Sequence, residues 1–356
     1  MAAPDVTARG SAVAWIESLS PWPEGGFGLE RMHELLELLG HPERAFPAIH
    51  VVGTNGKSTA TRTIAALLRA EGLRAGAYTS PHVSGWAERL DTDPRTLERA
   101  LERIRPAAEA TEATQFEALT AAALAQFAAD EVDVAVVEAG LGGRLDATNV
   151  VDATVVLLTN VGLEHTDVLG STREQIAREK LAVARPGAVV VLGDPEWAYL
   201  VPANRTIEGG AREAAAAFLG RPVEREVAVS LPGRLERRGR EIRDGAHTPE
   251  AVEWLLERLP DRDYVLCVSI LRDKDVEGML ARLARAGRTF VATASSNPRS
   301  LPAEELAYHA RKHFALVEVR PGPAAALARS RELAGPDGDL LVTGSLYLLA
   351  DLTPSV

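Results

Sequence analysis

Three runs in this chain, 132–140 (VDVAVVEAG), 153–162 (ATVVLLTNVG) and 188–194 (AVVVLGD), are apolar without alternating with polar residues. A strand with one face in water alternates with a period of two. An unbroken apolar run therefore reads as a strand buried on both faces, as a parallel strand is when helices cover each side. Around these runs the apolar residues fall at helical spacing. The run 48–52 (AIHVV) ends in a glycine turn, and a helical segment follows from Ser58 to Ala70. GAYT (76–79), a loop, and helical stretches around 95–109 and 115–130 come next. Strands alternating with helices predict a doubly wound parallel sheet with ligands at the carboxyl ends of its strands.

A second alternating set follows: IRDG (242–245), DYVLCVSI (263–270), TFVATA (289–294), LVEVR (316–320) and LLVTGS (340–345), with helices such as 249–258 and 302–312 between them. The segment joining the sets, SLPGRLERRGRE (230–241), is rich in Gly, Pro and charge and reads as a linker or hinge. A length of 356 residues suits two domains of unequal size. The expected fold is α/β: two doubly wound, mostly parallel-sheet domains, residues 1–230 and a smaller Rossmann-like domain at residues 231–356.

Composition narrows the function class. Hydrophobic residues make up 46% and charged residues 25%, the balance of a soluble globular protein. No apolar run reaches the ~18 residues of a membrane span. The start, MAAPDVTARG, lacks the basic-then-apolar layout of a secretory signal. One cysteine, Cys267, excludes an internal disulfide framework and suits a reducing cytoplasm. It lies in the run YVLCVSI and is read as a buried strand residue, not a nucleophile. A net charge of −11 offers nucleic acid no electrostatic attraction, although a local cluster of donors can still bind phosphate. The expectation is a cytoplasmic monomer acting on small molecules, with no nucleic-acid or membrane partner.

Gly53-Thr54-Asn55-Gly56-Lys57-Ser58-Thr59 follows a strand and opens a helix. That is the setting of a phosphate loop: backbone N–H groups of a glycine turn and a helix N-terminus converge on anionic oxygens, and a lysine adds a full charge. The usual G-x-x-x-x-G-K spacing would need glycine at 51, where this chain has Val51. The competing reading is a tight turn with an N-capping hydroxyl. Lysine, hydroxyls and strand–helix context together favour phosphate.

Other polar residues stand at strand ends. Glu138 closes an apolar strand, where a lone carboxylate is costly unless paired or metal-bound. Ser80 and His165 follow strand ends on the same predicted edge, and hard oxygen ligands suit Mg²⁺, which takes few protein ligands when phosphates and water complete its shell. Alone, His165 reads as an ordinary surface or core histidine, and Lys180 as part of a solvated helix face. Arg144 and Asp146 sit in a loop with Gly140, Gly142 and Gly143, which permit close backbone approach to a ligand or simply a salt-bridged turn. Asp244 and His247 follow a predicted strand, Arg234 lies in the linker, and Asp273-Lys274-Asp275 stays open between a charged loop and a ligand segment.

GTNGKST resembles the short phosphate loop of the Mur ligase superfamily. A series of further motifs, in family order, resembles the folylpolyglutamate synthase/dihydrofolate synthase branch: TSPHVSGWAERL (79–90), FEALTAAAL (116–124), VVEAGLGGRLDATNVV (136–151), LEHTDVLG (163–170), REKLAV (178–183), LPGRLE (231–236), DGAHTPEA (244–251), RDKD (272–275) and VTGSLYL (342–348). The GLGGRLDATN run is the most specific of these. The resemblance implies a P-loop-type ATP- and folate-binding first domain and a C-terminal glutamate ligase domain. It implies a metal set of Ser80, Glu138, His165 and Lys180, the lysine carbamylated so that a cation becomes a carboxylate-like ligand. It assigns catalysis to Lys57, Glu138, His165 and Lys180. ATP would meet Gly53 to Thr59, Arg234 and Asp244, with Asn204 as a loose match, and the pterin-bearing substrate would meet Phe116, Glu117, Arg144, Leu145, Asp146 and His247.

The implied reaction is an ATP-dependent amide ligation: the γ-phosphoryl group activates a folate or dihydropteroate carboxylate as an acyl phosphate, and L-glutamate's amine displaces phosphate. Mg²⁺ and Lys57 would neutralise phosphate charge, and one domain would close over ligands held by the other. This chain departs from the family in four places. Ser58 replaces the second glycine of GTNGKGS, Thr248 stands where folate ligases usually have Asn, and the region from about 194 to 230 and the loop after Leu90 are short. Both shortenings touch substrate specificity, not the phosphate chemistry. Three other readings compete with this one. A peptidoglycan-precursor Mur ligase needs a domain before the phosphate loop, and 52 residues precede Gly53. A P-loop kinase or motor ATPase is disfavoured by Val51 and the second domain. A non-catalytic binding relative is disfavoured by the retained lysine, glutamate and histidine.

Overall fold

The computed structural model describes residues 11–23 and 26–353. The chain forms two compact units that divide between Val229 and Ser230, with Val83–Gly85 belonging to the second.

The first unit is built on β1 (Ala48–Val52), β2 (Ala75–Tyr78), β3 (Val134–Glu138), β4 (Ala153–Leu158), β5 (Val189–Leu192) and β6 (Arg205–Glu208), in spatial order β2-β3-β1-β4-β5-β6. Every pairing is parallel. Its helices are α1 (Ala12–Ser18), α2 (Glu30–Leu38), α3 (Lys57–Ala70), α4 (Pro94–Ala110), α5 (Gln115–Ala129), α6 (Thr166–Leu169), α7 (Arg173–Leu181) and α8 (Ala211–Leu219). The missing alternation of the strands now has its cause. Ala48, Val52, Val156 and Leu158 enter a core with residues of α1, α2, α4 and α5, while Ile49, Val51, Val155 and Leu157 enter another with residues of α3 and α8. Both faces are dry, so both sets must be apolar. Helix α5 is buried on almost every side and is rich in alanine, and it sits flush on the sheet: a Cβ at Gly76 would come within 2.7 Å of the Phe127 ring.

Strand β1 is flanked by β3 and β4, with β2 and β3 on one side and β4 to β6 on the other. The chain thus reverses its direction of winding around β1, and the crevice beyond the carboxyl ends of β1, β3 and β4 is where a sheet of this type takes ligands. Strand β6 escaped the sequence reading because it is a short edge strand with mostly exposed side chains.

The second unit carries β7 (Glu236–Arg238), β8 (Glu241–Arg243), β9 (Tyr264–Val268), β10 (Thr289–Ala292), β11 (Leu316–Val319) and β12 (Asp339–Thr343), ordered β11-β10-β9-β12-β8-β7. Its helices are α9 (Pro249–Leu256), α10 (Val276–Leu283), α11 (Ala303–Ala310), α12 (Pro323–Ala334) and α13 (Leu346–Asp351). Leu266, Val268 and Phe290 fill one face, and Val265, Cys267 and Val291 the other. Cys267 is fully enclosed, and burial pushes its thiol up to about 12, as expected of a core residue. The segment expected as a linker is partly structured: β7 pairs antiparallel with β8, with Arg238 opposite Glu241. The two residues between them begin with Gly239 at φ 65, the left-handed backbone that a tight hairpin needs. Among the described residues no helix is long and apolar enough to cross a membrane.

Candidate active site

The segment 53–59, the candidate phosphate loop, leaves β1 at Val52 and enters α3 at Lys57. Its glycines serve two purposes. Gly56 caps α3 at φ 80, a left-handed conformation that an L side chain resists, while Gly53 has no room for a Cβ because the Thr159 side chain lies against it. The Lys57 ammonium folds back to donate to the carbonyls of Gly53 (3.0 Å) and Thr54 (3.3 Å). Ser58 lies on the first turn of α3, where its hydroxyl donates to Glu138 Oε1 at 3.0 Å. Thr59 is exposed on the same turn.

Glu138 ends β3 with 1% exposure, and the Ser80 backbone N–H donates to its other oxygen, Oε2, at 3.0 Å. Phosphate-loop helix, β3 and the segment after β2 thus meet on one carboxylate. Ser80 makes this contact through its amide, leaving the hydroxyl as a separate oxygen donor. These are hard oxygen groups beside the candidate phosphate loop, the donor chemistry that suits a small divalent cation.

Lys180 and His165 are the other two expected metal ligands. Lys180, on α7, is 1% exposed, and its ammonium donates to Gly53 O (2.9 Å) and to Glu164 Oε1 (2.5 Å). The solvated-face reading of Lys180 is therefore wrong. An ammonium so placed repels a cation and is no metal ligand as it stands. Burial first, and the neighbouring Lys57 charge next, hold the Lys180 pKa below the usual lysine range, with Glu164 opposing them. His165 is exposed and caps α6 with a left-handed φ of 44. Among the described residues no three His, Cys, Asp or Glu side chains come together as a metal cluster.

The glycine-rich loop after β3 packs against α7. A Cβ at Gly143 would lie 2.6 Å from Lys180 O, and the Arg144 N–H donates to Glu179 O at 3.1 Å. The Arg144 guanidinium pairs with Glu179 (3.1 Å) and is largely exposed, as is Leu145. Asp146 faces inward and organises the loop, accepting from the N–H groups of Leu141 (2.7 Å) and Thr148 (3.0 Å) and from the Thr148 hydroxyl. Burial raises its pKa against those hydrogen bonds. Thr148 Oγ1 also meets the buried His50 ring at 2.9 Å, and burial lowers that histidine to about 3. Phe116 lies against Gly140 and tilts over Tyr78 at 6.2 Å between ring centroids.

Two of the expected site residues make structural contacts. Glu117 is a structural group: it closes a capping box with Thr114 and pairs with Arg31 at 2.7 Å, which uses its carboxylate to start α5 and tie it to α2. Asn204 precedes β6, at the amino edge of a parallel sheet whose phosphate loop lies at the carboxyl edge. Its amide donates to the carbonyls of Arg185 (2.7 Å) and Ala188 (2.9 Å), so it braces a turn.

In the second unit Asp244 is buried and accepts from the N–H groups of Leu235 and Ala246, both at 2.8 Å, beside Arg234. Burial raises its pKa, while those donors and the Arg234 charge oppose the rise. His247 Nδ1 meets Gly245 O at 2.8 Å. The Asp273-Lys274-Asp275 segment behaves as a charged loop: Asp273 meets Lys274 and Arg299, and Asp275 caps α10.

The sequence reading passed over Thr159, Asn160 and Glu164. The first two follow an apolar strand at its carboxyl end, the same signal that singled out Glu138, and Glu164 adjoins His165.

Residues 51–217 match the family model described as the Mur ligase middle domain, and residues 233–346 match the Mur ligase, glutamate ligase domain. The chain is 33% identical over 382 residues to the dihydrofolate synthase/folylpolyglutamate synthase of Escherichia coli, covering 91% of this chain and 90% of that one. It is 32% identical over 397 residues to the corresponding Mycobacterium tuberculosis protein, covering 84% and 81%. E. coli FolC in complex with DHPP and ADP superposes with a TM-score of 0.85 at 29% identity, covering 96% of this chain and 97% of that one. A Yersinia pestis bifunctional folylpolyglutamate synthase/dihydrofolate synthase complexed with AMPPNP and Mn ion gives a TM-score of 0.83 at 29% identity, over 99% and 98%.

Proposed function

The chain belongs to the dihydrofolate synthase/folylpolyglutamate synthase family of Mur ligases, and from that membership we propose that it is an ATP-dependent ligase joining L-glutamate to the carboxylate of a folate or of dihydropteroate. The observation that carries this reading is Glu138, held between Ser58 of the phosphate-loop helix and the Ser80 amide. It sets a carboxylate for a divalent ion beside the loop that takes ATP's phosphates.

A carboxylate is a poor electrophile. In the first step an oxygen of the acceptor carboxylate forms a bond to the γ-phosphorus while the bond to ADP breaks. In the second, the amine of glutamate attacks the acyl carbon, phosphate leaves, and the nitrogen gives up a proton. The protein's share is positioning and charge neutralisation, with no covalent enzyme intermediate. Amides of the first turn of α3 and the Lys57 ammonium bind phosphate oxygens. Glu138, with the hydroxyls of Ser58 and Ser80, would hold Mg²⁺, which when bound supplies charge neutralisation at the transferring group. We further propose His165 as a ligand in the nucleotide-bound enzyme, and Lys180 as the site of a carbamate: its burial and lowered pKa favour the neutral amine that reacts with CO₂. Phe116, Arg144, Leu145 and Asp146 are the candidates for the acceptor substrate. In the second unit, residues 231–356, Arg234 and Asp244 are the candidates for nucleotide contacts and His247 for substrate. The single buried cysteine suits the cytoplasm, where we place the enzyme as a monomer.

The test is phosphate release from MgATP by the purified protein. Release should require both a pteroyl acceptor and L-glutamate. Equal release without acceptor would make this an ATPase, and Lys57→Ala should remove most of the turnover, by roughly 10²-fold or more.

A further inference from the structure

The turn after β4 grips the phosphate loop from the adjacent strand. Asn160 is its centre. The Asn160 backbone carbonyl accepts from Thr54 N–H at 3.0 Å, and its side-chain Oδ1 accepts from Asn55 N–H at 2.9 Å. Its Nδ2 donates back to Asn55 O at 3.2 Å, and the Thr159 hydroxyl donates to the same carbonyl at 2.7 Å. Thr54 Oγ1 in turn accepts from Gly162 N–H at 3.0 Å.

These bonds decide what the loop can offer an anion. A phosphate is repelled by exposed carbonyl oxygens and held by convergent N–H groups. Every carbonyl from Gly53 to Asn55 is covered by a donor: Gly53 by Lys57 and Lys180, Thr54 by Lys57, Asn55 by Thr159 and Asn160. The amides of Thr54 and Asn55 are spent on Asn160. The helical ladder of α3 begins with Ala60 N–H on Gly56 O at 2.9 Å, so the amides of Lys57, Ser58 and Thr59 are the first-turn donors. We propose that Asn160 is a positioning residue for phosphoryl transfer: its carboxamide locks Asn55 so that the loop turns its carbonyls away and presents only the amides from Gly56 to Thr59. The inference rests on the phosphate-loop reading, and it assigns Gly53, Thr54 and Asn55 to loop architecture, not to direct phosphate contact.

The test compares AMPPNP and adenosine binding by calorimetry on the full chain with Mg²⁺, together with hydrogen exchange at the Asn55 amide. Asn160→Ala should weaken AMPPNP by about tenfold to a hundredfold, the size expected for two lost hydrogen bonds, and speed exchange at Asn55. Adenosine affinity and the KM for the pteroyl acceptor should stay near their parent values, a split that general loosening of the fold would not produce. Asn160→Asp has the same shape and keeps the acceptor for Asn55 N–H but turns an oxygen toward Asn55 O. It should lose AMPPNP selectively too, and it stands in if the alanine variant does not fold. AMPPNP binding within about twofold of the parent, or a parallel loss of adenosine, overturns the proposal. Lys57→Ala separates the two ideas. If it binds AMPPNP normally, the phosphate-loop reading has failed; if it loses AMPPNP while both Asn160 variants keep it, only the role of Asn160 has.

Discussion

Gly143→Ala adds one methyl group at the seam between the loop after β3 and helix α7. The added Cβ would sit 2.6 Å from Lys180 O, 2.8 Å from Glu179 O and 3.0 Å from Lys180 Cα, where ordinary contact begins at 3.4 Å. Relief of the closest contact therefore needs 3.4 − 2.6 = 0.8 Å of movement, and all three neighbours are backbone atoms that cannot swing aside. Either the loop lifts, stretching the Arg144 N–H bond to Glu179 O from 3.1 Å, or the last turn of α7 retreats and carries Lys180 away from Gly53 O. Overpacking of this kind typically costs about 1–3 kcal/mol, a loss a domain survives. A shift approaching 1 Å in a group that positions the reacting centre costs on the order of 10²-fold in rate. Gly143→Ala should therefore fold, melt a few degrees lower, and lose roughly 10²-fold in glutamate-dependent phosphate release, with circular dichroism reporting the fold. Gly322→Ala, at the N-cap of α12 with open space around its Cβ, is the control: it should cost only the modest stability of a weakened cap and keep the parent's turnover. Turnover within about twofold of the parent at an unchanged melting temperature would show that α7 need not be held flush for Lys180 to act.

Glu138→Gln keeps the side chain's shape but removes its charge, and it should raise the Mg²⁺ concentration needed for half-maximal activity by about tenfold or more; superimposable Mg²⁺ titrations would remove Glu138 from the metal site. Lys180→Ala should be inactive and partly restored by acetate or formate filling the vacated anionic position, whereas Lys180→Arg, with its fixed positive charge, should be inactive and not restored. Wild-type turnover in Lys180→Arg would end the carbamate idea. His50 gives a pH signature. Its folded pKa, about 3, lies below its ordinary 6.5, so between those values the unfolded chain binds the extra proton and stability is lost as pH falls. Urea titrations should show a slope of up to about 1.4 kcal/mol per pH unit in that window that His50→Asn flattens, and identical slopes would mean that His50 does not stay neutral in the fold.

The α/β class, most strand positions and the strand–loop–helix setting of GTNGKST were legible in the residues because each depends on a local pattern. An apolar run needs only its own side chains to say that both faces are dry, and GTNGKST needs only the strand before it and the helix after it. The misreadings share a cause as well. Strand β6 is short and exposed, and β7 was hidden in charge because a hairpin at a sheet edge has a wet side. Glu117 and Asn204 stand out only as motif matches, and their hydrogen bonds to Thr114, Arg31 and two backbone carbonyls are visible in no local pattern.

By itself, then, the sequence determined the periodicities, the glycines that permit Gly53 and Gly56 their places, and a lysine at the start of α3. Which groups meet was left to the tertiary structure. Asn160 reaches Asn55 across 105 residues, Ser58 reaches Glu138 across 80, and Lys180 reaches Gly53 across 127. Strand order alone makes these neighbours, by setting β1 between β3 and β4 and bringing three carboxyl ends to one crevice. A side chain's partner, and with it the sign of its local field, follows from that order; no window of adjacent residues contains it.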